Sequence, residues 1–285
     1  MKRFDYYQPE SLKEAYQLME KFKGEALYVA GGTDVIVRIK QRAIEPEALI
    51  SLRGLKELRG IKDNGGLTLG AGTLFRDIER YPLIAKEYPA LHQAASMLAN
   101  LQIRNVATVG GNLCNAAPSA DSAPPLIVLG AMVVLEGPGG KRKMSLEDFF
   151  TGPGQTAKEP QEIMREIHIP EKDANTATVF LKIGRVSQDI AIANAAALVT
   201  MENKVCKRCR LAVGAVAPVP LRLKGIEEKI EGEEITDDLL QEVEKMVCDA
   251  VSPITDVRAT KEYRRTVSGV LVKRAIAQAV ASLEG

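Results

Sequence analysis

Apolar residues recur at helical spacing in Leu12, Ala15, Tyr16, Met19 and Phe22. Ser11-Leu12-Lys13-Glu14 forms a capping box before them and Gly24 follows, so the pattern predicts an amphipathic helix. Leu27-Tyr28-Val29-Ala30 reads as a short strand that breaks into Gly31-Gly32-Thr33-Asp34. Residues 35–40, apolar and then basic, fit either a strand or a short helix. Residues 48–52 predict a second strand and residues 67–72 a glycine-laden third. Residues 73–98 are helical in pattern, but Pro82 and Pro89 divide them into at least two helices. The periodicity then fails. Residues 100–121 are rich in Gly, Asn, Ser and Pro, and an irregular segment of this length inside a domain is usually functional.

Residues 126–135 are apolar around Gly130, and Gly137-Pro138-Gly139-Gly140 predicts a turn. Polar residues 171–175 interrupt the pattern, which places a domain boundary between Pro170 and Thr176. Beyond it, residues 178–183, 191–201 and 210–216 predict antiparallel strands, and residues 236–250 and 260–283 predict two closing helices. The fold class is α+β, with mixed strands and helices in two domains.

Composition narrows the chemistry. In 285 residues, 38 Lys and Arg face 37 Asp and Glu, and a net charge of +1 gives no electrostatic reason to expect nucleic acid or an anionic membrane as partner. No stretch approaches the ~18 consecutive apolar residues of a membrane span. The opening Met1–Tyr7 lacks the apolar core of a secretion signal, so a reducing cytoplasm is the expected compartment. Only two histidines and four cysteines are present, and they are scattered. Cys206-Lys207-Arg208-Cys209 is a single CxxC with no second half, read as a surface turn between strands; no metal site is expected. Any redox chemistry here must use an organic cofactor.

Two glycine pairs carry the candidate chemistry: Ala30-Gly31-Gly32-Thr33-Asp34, directly after a strand, and Ala107-Thr108-Val109-Gly110-Gly111-Asn112 in the irregular segment. Paired glycines let a backbone approach an anion and aim several N–H groups at it, and Thr33, Thr108 and Asn112 add donors. Two such nests suit a diphosphate between a nucleotide and a ring system. Taken alone, either pair reads first as a tight turn. Gly70-Ala71-Gly72 misses the dinucleotide fingerprint because Phe75 stands at the third glycine position. Asp121, in Pro118-Ser119-Ala120-Asp121-Ser122-Ala123-Pro124, reads alone as a helix N-cap. His92, on a helix face, and His168, alternating with Ile167 and Ile169 in a strand, read as structural.

Together and in this order, the two loops resemble the AGGTD and IRNxATxGGN motifs of the flavin-binding subunit of the molybdenum hydroxylases, here Ala30–Asp34 and Ile103–Asn112. Further matches are Asp148–Pro153, Glu162–Ile167, Phe180–Arg185 and Asp189–Ala191, so the resemblance spans nearly the whole chain. It implies an FAD-binding domain of the vanillyl-alcohol-oxidase (PCMH) type over residues 1–173, with two subdomains split near 55–60. A C-terminal domain like that of the carbon monoxide dehydrogenase flavoprotein follows over 177–285. By the same resemblance Tyr28, Val29, Ala30, Gly31, Gly32, Thr33, Asp34 and Val35 wrap the diphosphate. Thr108, Val109, Gly110, Gly111 and Asn112 lie beside the diphosphate and the flavin edge. Asp121 reaches the nucleotide portion, and Met164 and Lys182 line the rest. A cation at Lys182, near the pyrimidine end, would favour an anionic reduced ring. Leu98 stands where certain relatives place an aromatic residue.

The implied role is that of an FAD subunit that takes electrons from a small subunit with [2Fe-2S] clusters. It passes them to an acceptor such as NAD, while a large subunit holds the molybdenum cofactor. The assembly expected is a dimer of heterotrimers. Two other readings stand beside it: a self-contained NAD(P)H-dependent flavin reductase, and a non-catalytic scaffold.

Overall fold

The computed structural model describes residues 2–284. The first layer is a three-stranded parallel sheet in the order Asp5–Tyr7, Ala48–Ser51, Ala26–Val29. The Leu12–Lys21 helix starts as the capping box predicts, with Ser11 Oγ accepting from Glu14 N at 3.2 Å. The Glu14 carboxylate reaches one residue further back, to Glu10 N at 2.8 Å. Leu12, Ala15 and Met19 are buried against the sheet residues Ala26, Ala48 and Ile50. Residues 35–40, open between strand and helix in the sequence, are the helix Val35–Lys40.

A five-stranded antiparallel sheet follows, in the order Ile61–Asp63, Gly66–Gly70, Ile163–Pro170, Met132–Gly137, Gly140–Ser145. Six helices separate Gly70 from Met132 and cover one face of it. Pro82 and Pro89 each open a helix, where a missing N–H costs nothing, so residues 73–98 hold three helices: Phe75–Arg80, Pro82–Glu87 and Pro89–Met97. The apolar run 126–135 divides at Gly130 (φ +71°) into the end of the helix Ala123–Val128 and the start of a strand.

The last sheet runs Thr176–Ile183, Ala193–Glu202, Val205–Gly214, Leu221–Arg222. Alternate residues of its strands enter different cores. Val179, Ala195, Ala197 and Leu211 face the helices Asp237–Ala250 and Lys261–Glu284. Phe180, Ala196, Leu198 and Ala212 join the apolar cluster of Leu91, Leu126 and Ile167. The sheet is thus buried on both faces, and one core continues from the first half of the chain into the second.

One expectation about this sheet is corrected. Cys206-Lys207-Arg208-Cys209 is not a turn. It lies inside the strand Val205–Gly214, and the turn is Asn203-Lys204, both at positive φ as a tight hairpin requires. The register places Lys207 as an extra residue between the pairs Met201–Cys206 and Thr200–Arg208. That bulge turns both thiols into the same core, where each is at most 1% exposed.

The two closing helices approach at Gly269. A β-carbon there would lie 2.5 Å from the carbonyl oxygen of Glu244 and 3.0 Å from Cys248 Sγ. Gly269→Val should therefore force the helices apart at a cost of about 1–3 kcal/mol, measured as a lower midpoint of urea unfolding with a similar slope.

Candidate functional site

The Ala26–Val29 and Ala48–Ser51 strands run parallel, and the segments leaving their carboxyl ends open one side of a cavity. This is the edge at which parallel sheets commonly receive ligands. The first segment, Ala30–Asp34, leads into the Val35–Lys40 helix through Ile36 N→Gly32 O (3.2 Å) and Arg38 N→Asp34 O (3.0 Å). Among the described residues no protein acceptor receives the backbone N–H of Gly31, Gly32, Thr33 or Asp34. Gly32 has φ +73°, which favours glycine. Gly31 is required for a different reason: a β-carbon there would run into the carbonyl oxygen of Val106.

The second glycine segment is built differently from the expectation. Residues 100–121 are largely ordered into the short helices Leu101–Arg104 and Val109–Asn115, capped by Asn100 (Ile103 N, 2.9 Å) and Thr108 (Gly111 N, 3.0 Å). The N–H groups expected to form a nest already have protein acceptors. Val109 N donates to Thr73 O (3.0 Å), Gly110 N to Ala71 O (2.8 Å) and Asn112 N to Thr108 O (3.0 Å). The glycines serve close approach instead, since a β-carbon on Gly110 would lie 2.5 Å from Ala71 Cβ. This segment is a packed wall whose backbone N–H groups from Val109 to Asn112 are engaged within the protein.

Between the two lies a cavity of about 680 Å³, within the range of small-molecule and cofactor sites. Tyr28–Val35, Thr108, Gly110, Gly111, Asn112, Asp121, Met164 and Lys182 all line it. Val109 does not; its side chain is fully buried in the core behind the wall. Burial raises the Tyr28 phenol well above its usual range, and its single O–H is shared between Ala15 O and Gln161 O, both at 3.4 Å. Asn112 Oδ1 accepts from Ser122 Oγ at 2.7 Å, which leaves its NH₂ as a donor toward the cavity.

Asp121 is not a helix cap. Ser122 holds that position, and the Asp121 carboxylate accepts from Lys182 Nζ at 2.6 Å and Asn194 Nδ2 at 3.0 Å. Burial pushes its carboxyl up, while Lys182 and Asn194 pull it down. Both side chains of the pair are under a tenth exposed. The charge expected of Lys182 is therefore shared with Asp121 and does not stand alone in the cavity.

Sequence reasoning missed several lining residues. Arg38, Arg53 and Arg59 also line the cavity, and all three are exposed. Lys158 comes from the segment between two strands, and burial lowers its ammonium. Cys114 lies one helical turn beyond Gly111, and burial pushes its thiol up to about 11. Helical spacing from Gly111 would have located Cys114; the others carry no local signal. His168 stands outside the cavity, bonded to Thr68 Oγ1 (3.1 Å) and Glu166 Oε1 (2.9 Å) across the exposed sheet face.

Comparison with known proteins matches residues 2–172 to the FAD binding domain in molybdopterin dehydrogenase. Residues 178–279 match the CO dehydrogenase flavoprotein C-terminal domain. The chain belongs to this flavoprotein family. The carbon monoxide dehydrogenase medium chain of Hydrogenophaga pseudoflava is 32% identical over 275 residues, covering 96% of each chain. The xanthine dehydrogenase FAD-binding subunit of Escherichia coli O157:H7 is 33% identical over 284 residues, covering 98% of this chain and 97% of its own. The solved structure of the Hydrogenophaga pseudoflava carbon monoxide dehydrogenase superposes with a TM-score of 0.95 over 98% of both chains, at 32% identity.

The cavity of this flavoprotein fits FAD by its donor set. Unpartnered N–H groups and three arginines suit a diphosphate at one end. Leu98, Ile103, Ile163 and Met164 add apolar lining of the kind a flat ring needs, and Asn112 and the Asp121–Lys182 pair add polar groups to the same cavity. Breaking that buried pair tests how far the wall depends on it. Asp121→Ala should cost about 3–5 kcal/mol by leaving Lys182 buried without its partner. The double variant Asp121→Ala with Lys182→Met should recover part of that loss, both read from denaturant titrations.

Proposed function

We propose that this chain is the FAD-carrying electron-transfer subunit of a multi-subunit molybdenum hydroxylase. In this reading a [2Fe-2S] subunit delivers electrons to it, an acceptor such as NAD removes them, and a large subunit holds the molybdenum cofactor. The assembly is a dimer of heterotrimers in the cytoplasm. Family membership supports the flavoprotein role, as do relatives described as the medium or FAD-binding chains of such dehydrogenases. The observation that carries the reading furthest is the unpartnered N–H row of Gly31–Asp34, which leaves the carboxyl end of a parallel strand and lines a cavity that three arginines also line.

When bound, FAD supplies the exchange of paired and single electrons, and the protein supplies position, charge and access. This chain's residues need not act as acid or base: Asp121 is held by Lys182, and the Cys114 thiol stays protonated at neutral pH. Among the described residues no three His, Cys, Asp or Glu side chains converge as a metal site, and no helix is long and apolar enough to cross a membrane. We read residues 1–173 as the FAD-binding domain, divided near 55–60 where the parallel sheet gives way to the antiparallel one, and 177–285 as the C-terminal domain.

The full chain, expressed alone, should take up FAD and show the visible flavin spectrum. A folded chain that takes up none overturns the reading. If NAD is the acceptor, NADH added without oxygen should bleach the bound flavin; a flavin that stays oxidised assigns the acceptor role to another molecule.

A further inference from the structure

Two lysines line the cavity, and they are held in opposite ways. Lys182 Nζ lies 2.6 Å from the Asp121 carboxylate, so that pair presents little net charge to a ligand. Lys158 Nζ donates to two backbone carbonyls, Glu159 O at 2.9 Å and Glu162 O at 3.1 Å. Among the described residues no carboxylate oxygen lies within 4.0 Å of it. An ammonium carries three donors, so one remains for the cavity.

The segment that carries Lys158 is itself fixed. Arg142 makes two bonds to the Glu162 carboxylate, at 2.6 and 2.7 Å, and a third to Ala157 O at 2.6 Å. Glu159 N donates to the same Glu162 carboxylate at 2.7 Å. The nearest acid is thereby engaged by Arg142, and Lys158 is tethered in place. Its contact with Glu162 O sets it beside Ile163 and Met164, which with Cys114 form an apolar stretch of the cavity wall. An apolar stretch of this kind suits the face of a flat ring. A diphosphate would find its own donors in the N–H row that follows the first parallel strand and in the lining arginines.

We propose that the ammonium of Lys158, rather than that of Lys182, is the positive charge this chain presents to the isoalloxazine ring of its FAD. It raises the affinity of the site for the reduced ring over the oxidised one. The reduced ring is the more electron-rich form, and a cation held in a poorly hydrated wall favours the form with more negative charge. The inference rests on the cofactor reading above and adds to it the residue that sets the redox balance.

The test uses the full chain reconstituted with FAD. Its midpoint potential is measured against a reference dye for the wild type, Lys158→Met, Lys158→Gln and Lys158→Arg. Both neutral variants should lose about tenfold in the ratio of reduced to oxidised affinity, a fall of about 30 mV for a two-electron couple. Lys158→Arg should keep the wild-type potential. Lys158→Gln guards against misfolding of the Met variant, because its amide can still donate to the tethering carbonyls. Neutral variants that bind FAD at the wild-type potential, and differ only in melting temperature, overturn the inference. So does an equal loss of affinity for both redox forms, which would assign Lys158 to the diphosphate. A wild-type chain that takes up no flavin overturns the cofactor reading instead, and is seen before any variant is compared.

Discussion

Two glycines let three distant stretches of backbone touch, and the cavity exists because they do. At Gly31 the Val106 carbonyl occupies the place of a side chain, and at Gly110 it is Ala71 that does so. The bonds Gly110 N→Ala71 O and Val109 N→Thr73 O fasten the second contact. A contact between main chains has no rotamers with which to adapt, so an added methyl must move a segment. The first segment, lodged against this wall, keeps its N–H groups away from protein acceptors. The same restraint that makes the wall rigid makes the loop a donor surface.

Charge is distributed unevenly over that frame. The lining from the first glycine segment and the arginines is positive through N–H dipoles and exposed guanidinium groups. The far end holds a buried acid and base whose charges largely cancel, a pairing suited to placing polar atoms more than to supplying a field. Lys158 lies between these regimes, partly withdrawn from water and in no direct ion pair among the described residues, with the Glu162 carboxylate near it engaged by Arg142.

Much of the fold was legible because periodicity reports burial. The capped first helix, the helices divided at Pro82 and Pro89 and the two closing helices all follow from apolar spacing and its interruptions. The thiols of Cys206 and Cys209 were misread because a bulge changes which side a residue faces, and one inserted residue leaves no pattern of its own. The glycine motif at Gly110 lines the cavity as its composition suggests, but its glycines also serve a close backbone contact with Ala71. A glycine that admits a ligand and one that admits another strand of the same chain are alike in sequence. Lys158, Arg53 and Arg59 lie in loops brought to the cavity by the tertiary fold alone, so no local signal marked them.

The second half of the chain does more than extend the first. Phe180, Ala196, Leu198 and Ala212 share a core with the helices that wall the cavity, and Lys182 follows Phe180 by two residues on the same strand. Because strand neighbours alternate in direction, burying Phe180 inward sets where Lys182 can point and where Asp121 finds its partner. Relatives named for carbon monoxide and for xanthine are nearly equally similar to this chain, at 32% and 33% identity, over almost their whole length. Within this chain the glycine contacts and the buried pair are the parts held most tightly, and they are those that shape the cavity.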